Sequence, residues 1–244
     1  MMIYSKLYNS FFFRGVRSLL RKLHKEKDKN KAHFGVDILN SISQIDDKIF
    51  PMFGTLLSIC RDGQFIFADD FDFAVLGDYT DDIIDRFEEY GFELIGLSTV
   101  GYQKKLVELS FHKVFEGENV KVDLFRLDTH ESFVRHCCPN FRKEKERVLF
   151  INGLKFCNFN SYFTVDYPSF SLVESKFNIL IPSCSESIFC CHYGKDWMVP
   201  KKSNFIDFNN YKFINEPSCT IIGDSKKLKK FISENIDVSN IRLN

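Results

Sequence analysis

Asp70 and Asp72 stand one residue apart in an apolar run, Phe71-Asp-Phe-Ala-Val-Leu76, and a third acid, Asp123, sits in a second run, Val120-Lys-Val-Asp-Leu-Phe125. Alternate side chains of a strand share a face, so Asp70 and Asp72 point one way while Phe71 and Phe73 enter the core. Two carboxylates on one face repel unless a cation neutralises them. Hard oxygen donors suit Mg²⁺ or Mn²⁺, ions that keep waters and bind substrate phosphates. If the strand over 121–127 lies beside the one over 71–76, three acids converge. Upstream, Gly54-Thr55 closes another apolar stretch, with Arg61 beyond it. Glycine lets the backbone approach a ligand closely, amides at a helix start attract anions, Thr55 adds a hydroxyl, and Arg61 has a bidentate fork for phosphate. That combination points to phosphoryl-group chemistry on a small sheet. Each part has a plain alternative: Asp-x-Asp is common in strands, Asp69 to Asp72 reads also as a solvated turn, and Gly-Thr before a helix is often just a cap. The order and spacing together favour the site.

The elements that must position these residues follow from periodicity and punctuation. Val36, Leu39, Ile42, Ile45 and Ile49 repeat at three or four, which predicts a helix over about Phe34 to Lys48. Ile49 to Phe53 reads as a short strand, Leu56 to Arg61 as a short helix closed by Asp62-Gly63, and Phe71 to Leu76 as a buried strand. Thr80 to Tyr90 is a helix with Thr80 as N-cap and Gly91 after its end. Phe92 to Leu97 and Lys104 to Phe111 are strands, and Glu116-Gly-Glu-Asn is a hairpin turn returning into Lys121 to Leu127. Signals weaken beyond residue 130. Arg142 to Arg147 reads as a charged helical surface, Tyr193 to Pro200 holds the one Trp, Trp197, and Ser225 to Glu234 is a terminal helix.

The chain has 244 residues, 44% hydrophobic and 27% charged, which suits one soluble domain with appendages. Its 28 Phe suggest a core packed with rings, and are equally what an AT-rich genome produces. None of the eight Cys forms a CxxC pair, so zinc-ribbon spacing is absent, and the two vicinal pairs are awkward disulfides. Cys as small core residues in a reducing cytoplasm is the simplest reading. No secretory signal stands out, and no apolar run reaches the ~18 residues a membrane span needs. Net charge is zero, yet residues 1–31 hold nine Lys or Arg against two acids. Tyr4, Leu7, Phe11, Phe12, Val16, Leu19 and Leu23 form an apolar side opposite that basic face. Residues 1–31 are therefore read as a basic amphipathic helix suited to a membrane surface. A helix packed on the domain or a partner is the alternative. Nucleic acid is a poor fit, since the candidate site is acidic and no recognition motif is present.

At these residues the chain resembles the LicD/fukutin family of nucleotidyltransferase-fold enzymes. Family members show a GTLLG-like turn, a nearby Arg, an Asp-rich FIPWDDDID-like strand and a later hydrophobic-Asp-hydrophobic-Phe strand. Their counterparts here are Gly54-Thr55-Leu56-Leu57, Arg61, Phe65 to Asp72, and Val122-Asp123-Leu124-Phe125. Tyr193-Gly194-Lys195-Asp196-Trp197 with Pro200 is similar to a late YG-x-x-W-x-x-P segment. The chain departs at Phe67-Ala68, where the family has Pro-Trp, at Ser58, where it has Gly, and in an acidic run one residue shorter, in which Asp70 and Asp72 match the family's pair.

The resemblance implies an α+β fold, a nucleotidyltransferase-like mixed sheet flanked by helices over residues 32–244. It implies transfer of a phospho-alcohol (phosphocholine, ribitol phosphate or glycerol phosphate) from a CDP-activated donor to a hydroxyl of a free or lipid-linked glycan. Asp70 and Asp72 would ligate Mg²⁺ or Mn²⁺, and Asp123 would be a third ligand or the base. Gly54, Thr55 and Arg61 would hold donor phosphate, and Lys104 or Lys105 would join them unless they are simply solvated. His192 would meet the acceptor, against a structural role for a His with no evident partner. Trp197 would stack on a sugar or cytosine, against a place in the core. The expectation is a bacterial, cytoplasmic, membrane-peripheral enzyme of surface-polysaccharide modification. Two rivals stand beside it: a nucleotidyltransferase using a nucleoside triphosphate, and a non-catalytic glycan- or membrane-binding module with a relic site. The sequence names neither the alcohol nor the acceptor sugar.

Overall fold

Alternation along Asp70–Leu76 becomes a strand with Phe71 and Phe73 each 1% exposed, while Asp70 and Asp72 face the other way. The computed structural model in which this is seen describes residues 32–46, 48–62, 70–115, 117–201 and 206–236. The amphipathic helix expected over 1–31, and Phe65 to Asp69, lie outside the described residues.

Described elements begin with α1 (Ala32–Ile45), β1 (Phe50–Pro51) and α2 (Phe53–Leu57), which runs into a π-helical turn, Ser58–Asp62. Next come β2 (Asp70–Leu76), α3 (Ile83–Glu89), β3 (Glu93–Val100), β4 (Lys105–Phe115) and β5 (Glu118–Thr129). Then follow β6 (Phe133–Pro139), β7 (Arg147–Ile151), β8 (Leu154–Phe159), β9 (Tyr162–Pro168), β10 (Leu172–Glu174), β11 (Leu180–Pro182) and α4 (Ser185–Tyr193). A 3-10 turn (Phe208–Asn210), β12 (Tyr211–Ile214), β13 (Ser218–Ile222) and α5 (Ser225–Asn235) complete the chain.

The class is α+β. Eleven strands form one sheet in the order β12-β9-β6-β5-β4-β3-β13-β8-β7, with β2 joined to β5 and β1 to β2. Every pairing in it is antiparallel except β2 with β5, which is parallel, Asp70 opposite Lys121 through Leu76 opposite Leu127. A parallel pair needs a crossover, and here α3, β3 and β4 supply it. The β4–β5 hairpin closes at Gly117, whose φ of 82° is the left-handed turn conformation glycine adopts freely. The larger apolar cluster packs Ile38, Leu39 and Ile42 of α1, Phe87 of α3 and Leu228 of α5 with Phe71, Phe73, Phe111 and Leu124 of the sheet. A second cluster joins Phe50, Met52 and Leu56 to Val165, Tyr167 and the α4 residues Ile188 and Phe189. Among the described residues, eight of the chain's 28 Phe are fully buried rings, each stabilising the fold by about 2–3 kcal/mol.

Three local expectations are corrected. The helix after Met52 starts at Phe53 rather than Leu56. α3 starts at Ile83 without a side-chain cap, so Thr80 is not its N-cap; its carbonyl accepts the Ile83 amide instead. Residues 142–147 are not helical: Arg142 and Lys143 lie in a turn, and Arg147 opens β7, where four consecutive apolar side chains favour a strand.

Candidate metal and phosphate site

Parallel pairing sets Asp72 directly opposite Asp123, and antiparallel pairing sets Ser110 of β4 opposite Asp123 on its other side. Because paired residues share a face, three adjacent strands deliver their polar side chains to one spot. One carboxylate oxygen from each of Asp70, Asp72 and Asp123 lies within 4.8 Å of the others. Asp70 is exposed, Asp72 partly buried and Asp123 only 4% exposed. The Ser110 hydroxyl donates to Asp123 Oδ1 at 2.6 Å, and the Lys121 ammonium to Oδ2 at 2.7 Å.

The segment 52–55 wraps Asp72. The Met52 amide donates to the Asp72 carbonyl at 2.9 Å. The Gly54 amide donates to Asp72 Oδ2 at 3.1 Å, and the Asp72 amide donates to Thr55 Oγ1 at 2.7 Å. Gly54 and Thr55, expected to hold donor phosphate, are both turned to Asp72, and of the two Gly54 lines the cavity over the acids. A Cβ on Gly54 would stand 3.3 Å from Asp72 Oδ2, so glycine is what permits this approach.

Burial pushes the Asp72 carboxyl well above the ordinary carboxylate range, and the charges of Asp70 and Asp123 push the same way against the Gly54 hydrogen bond. Glu108, two residues from Ser110 on the same face of β4, is raised to about 7 by burial and then by Asp123, while hydrogen bonds from Ser98 and Ser110 oppose the rise. Burial works to lower the Lys121 pKa, but Asp123 prevails and the net shift is upward. These are mutually repelling acids, and the Lys121 ammonium compensates Asp123 among them. Hard carboxylate oxygens at this spacing fit Mg²⁺ or Mn²⁺, and a cation among them would relieve the strain on Asp72.

Above the acids opens a cavity of about 400 Å³. Its walls include Lys121, Glu108, Arg142, Phe125, His136, His192 and Tyr193. His192, for which the sequence identifies no partner, faces two: its Nδ1 lies 2.5 Å from Tyr211 Oη and 3.2 Å from Tyr167 Oη. Burial holds it well below the usual imidazole range, with His136 and Arg142 adding to that effect. His136 is lowered to about 4 by burial, and among the described residues neither ring nitrogen has a hydrogen-bond partner.

Four expected residues stand elsewhere. Arg61 forms a two-point ion pair with Asp62 at 2.8 and 2.9 Å and is outside the cavity lining. Lys105 is bonded to Asp128, and it precedes Ser110 by five residues, roughly 16 Å of extended strand. Lys104, at φ 52° in the preceding turn, lines a separate cavity with Tyr102 and Arg147. Trp197, half-buried, packs on Phe189 with ring centroids 4.8 Å apart, at the margin of the second apolar cluster. The residues missed were Lys121, Glu108, Ser110, Arg142 and Tyr193. Lys121 and Asp123 share strand parity, as do Glu108 and Ser110, and that signal was readable. Arg142 had none.

Comparison with family models, with curated proteins and with solved structures gives no match.

Proposed function

We propose that the chain is a metal-dependent transferase of nucleotidyltransferase-like fold that moves a phospho-alcohol group from a CDP-activated donor to a glycan hydroxyl. The observation that carries this reading is the pairing of Asp72 with Asp123 across a parallel β2/β5 pair, with Asp70 alongside and Lys121 bound to Asp123, on the floor of a cavity. Carboxylates clustered this tightly beside a lysine suit a diphosphate and a divalent cation better than they suit a neutral ligand.

Asp70, Asp72 and Asp123 would hold Mg²⁺ or Mn²⁺, which when bound neutralises phosphate charge. Lys121 and Arg142 line the same cavity and are placed to take phosphate oxygens, the role first assigned to Arg61, Lys104 and Lys105. In the transfer, the acceptor oxygen bonds to the phosphorus bearing the alcohol. The bond from that phosphorus to the bridging oxygen breaks, and CMP leaves with the electron pair. The acceptor proton passes to a carboxylate. Glu108, at about 7, is better matched to that task than an ordinary acid and shares the role proposed for Asp123. Gly54 and Thr55 act on the donor through Asp72.

CMP release tests the reading: the protein is incubated with Mg²⁺, a panel of CDP-alcohols and crude surface glycan, with Asp70→Ala as control. CMP from one donor, lost in the variant, supports it and names the alcohol. No CMP from any donor overturns it; pyrophosphate from a nucleoside triphosphate would assign nucleotidyl transfer instead, and Mn²⁺ binding without turnover on either class of donor would assign a binding module.

A further inference from the structure

Phe53 has a φ of 44°, in the left-handed region that side chains with a Cβ rarely enter. It sits inside the segment that wraps Asp72, between Met52, which donates to the Asp72 carbonyl, and Gly54, which donates to its carboxylate. Its ring is 6% exposed and wedged between two imidazoles, 4.6 Å from His192 in a stacked arrangement and 4.8 Å from His136, with Phe125 edge-on at 5.1 Å. His192 is itself fixed by the hydroxyls of Tyr167 and Tyr211. An unusual backbone conformation persists where its surroundings over-determine it, and such residues cluster at functional sites.

We propose that Phe53 is a positioning residue for Asp72: the ring, clamped by His136 and His192, holds the left-handed turn that aims the Gly54 amide at Asp72 Oδ2. It rests on the reading of Asp72 as a metal ligand. It adds a path from Tyr167 and Tyr211 through His192 and Phe53 to the carboxylate.

Two substitutions separate backbone positioning from simple packing. Phe53→Ala and Phe53→Gly both lose the ring, but only Ala retains the Cβ that disfavours this φ. A packing role predicts that Gly is no better than Ala. The positioning role predicts that Gly preserves the site better. Hydrogen exchange of the Gly54 amide in the metal-free full chain is the first readout, with the Gly91 amide, bonded to the Glu88 carbonyl at 2.9 Å, as control for opening elsewhere in the chain. The expected result is that Phe53→Ala speeds Gly54 exchange about tenfold or more beyond any change at Gly91, with Phe53→Gly in between. Mn²⁺ affinity by electron paramagnetic resonance should fall about tenfold in Phe53→Ala, a typical loss for a group that orients a ligand. Phe53→Leu replaces Phe53→Ala if the latter does not fold. Equal exchange in the Ala and Gly variants, or changes no larger than those at Gly91, overturns the proposal. A wild-type chain that binds no Mn²⁺ overturns the metal reading instead, and the amide exchange still decides the role of Phe53.

Discussion

At Asp72 burial, Asp70 and Asp123 all oppose ionisation, so this carboxyl depends most on a bound cation. Asp72→Asn should lower Mn²⁺ affinity by about 100-fold or more and abolish CMP release while leaving the fold intact; isothermal titration calorimetry and the transfer assay check it. Glu108 and His136 make opposite contributions to stability over nearly the same pH range. The folded-state pKa of Glu108 is raised from 4.5 to about 7, so its contribution is full below 4.5 and is lost as pH rises through 7. That of His136 is lowered from 6.5 to about 4, so its contribution is full above 6.5 and is lost as pH falls through 4. Thermal unfolding in EDTA should therefore show Glu108→Gln gaining about 2 kcal/mol over wild type at pH 8 and nothing at pH 4. His136→Phe should gain by a similar amount at pH 4 relative to its own effect at pH 8. A pH-independent difference for Glu108→Gln would mean that Glu108 ionises freely in the folded state.

The turn from β1 into α2 and the β2/β5 pair are the two elements that build the site. Gly54→Ala would press a Cβ against Asp72 Oδ2, at 3.3 Å before relaxation, without disturbing a core ring. It should weaken Mn²⁺ binding about tenfold and shift the unfolding free energy by less than about 1 kcal/mol. Calorimetric titration beside a denaturant curve distinguishes these. Behind the sheet, Phe87 of α3 is 0% exposed and stacks on Phe111 of β4 with centroids 4.1 Å apart. Phe87→Ala should cost about 3–5 kcal/mol, seen as a lower urea midpoint at unchanged slope. Truncation there removes the support of β4, the strand that carries Glu108 and Ser110.

At the scale of the molecule, charge is divided: residues 1–31 carry +7 and the rest −7. Among the described residues no helix is long and apolar enough to cross a membrane. A chain whose acceptor is lipid-linked would gain from a basic, aromatic surface segment. Deletion of residues 1–31 should cut binding to anionic vesicles by an order of magnitude, most steeply at low salt, and equal binding by the truncated chain in a flotation assay would exclude that role.

Sequence periodicity alone determined the local skeleton: the α1 repeat, the Asp70–Leu76 alternation, the Gly117 hairpin and the C-terminal helix, because side-chain parity and turn chemistry are local properties. It also determined that Asp70 and Asp72 share a face. β6 to β13 were not read from the sequence: β6 with β9, β9 with β12 and β13 with β3 and β8 pair across long separations, whereas the β7–β8 hairpin carries a local signal, its Asn152-Gly153 turn, that was readable. Tertiary structure decided the rest of the site. Only the parallel register of β2 on β5 placed Asp123 opposite Asp72 and brought Lys121 to it, and only the packing of β6, the turn after it and α4 brought His136, Arg142 and His192 to the cavity that holds the acids. Arg61 and Lys105, plausible by spacing, face acids of their own, Asp62 and Asp128. A long cation reaches whichever carboxylate packing leaves beside it, and spacing along the chain does not encode which one that is.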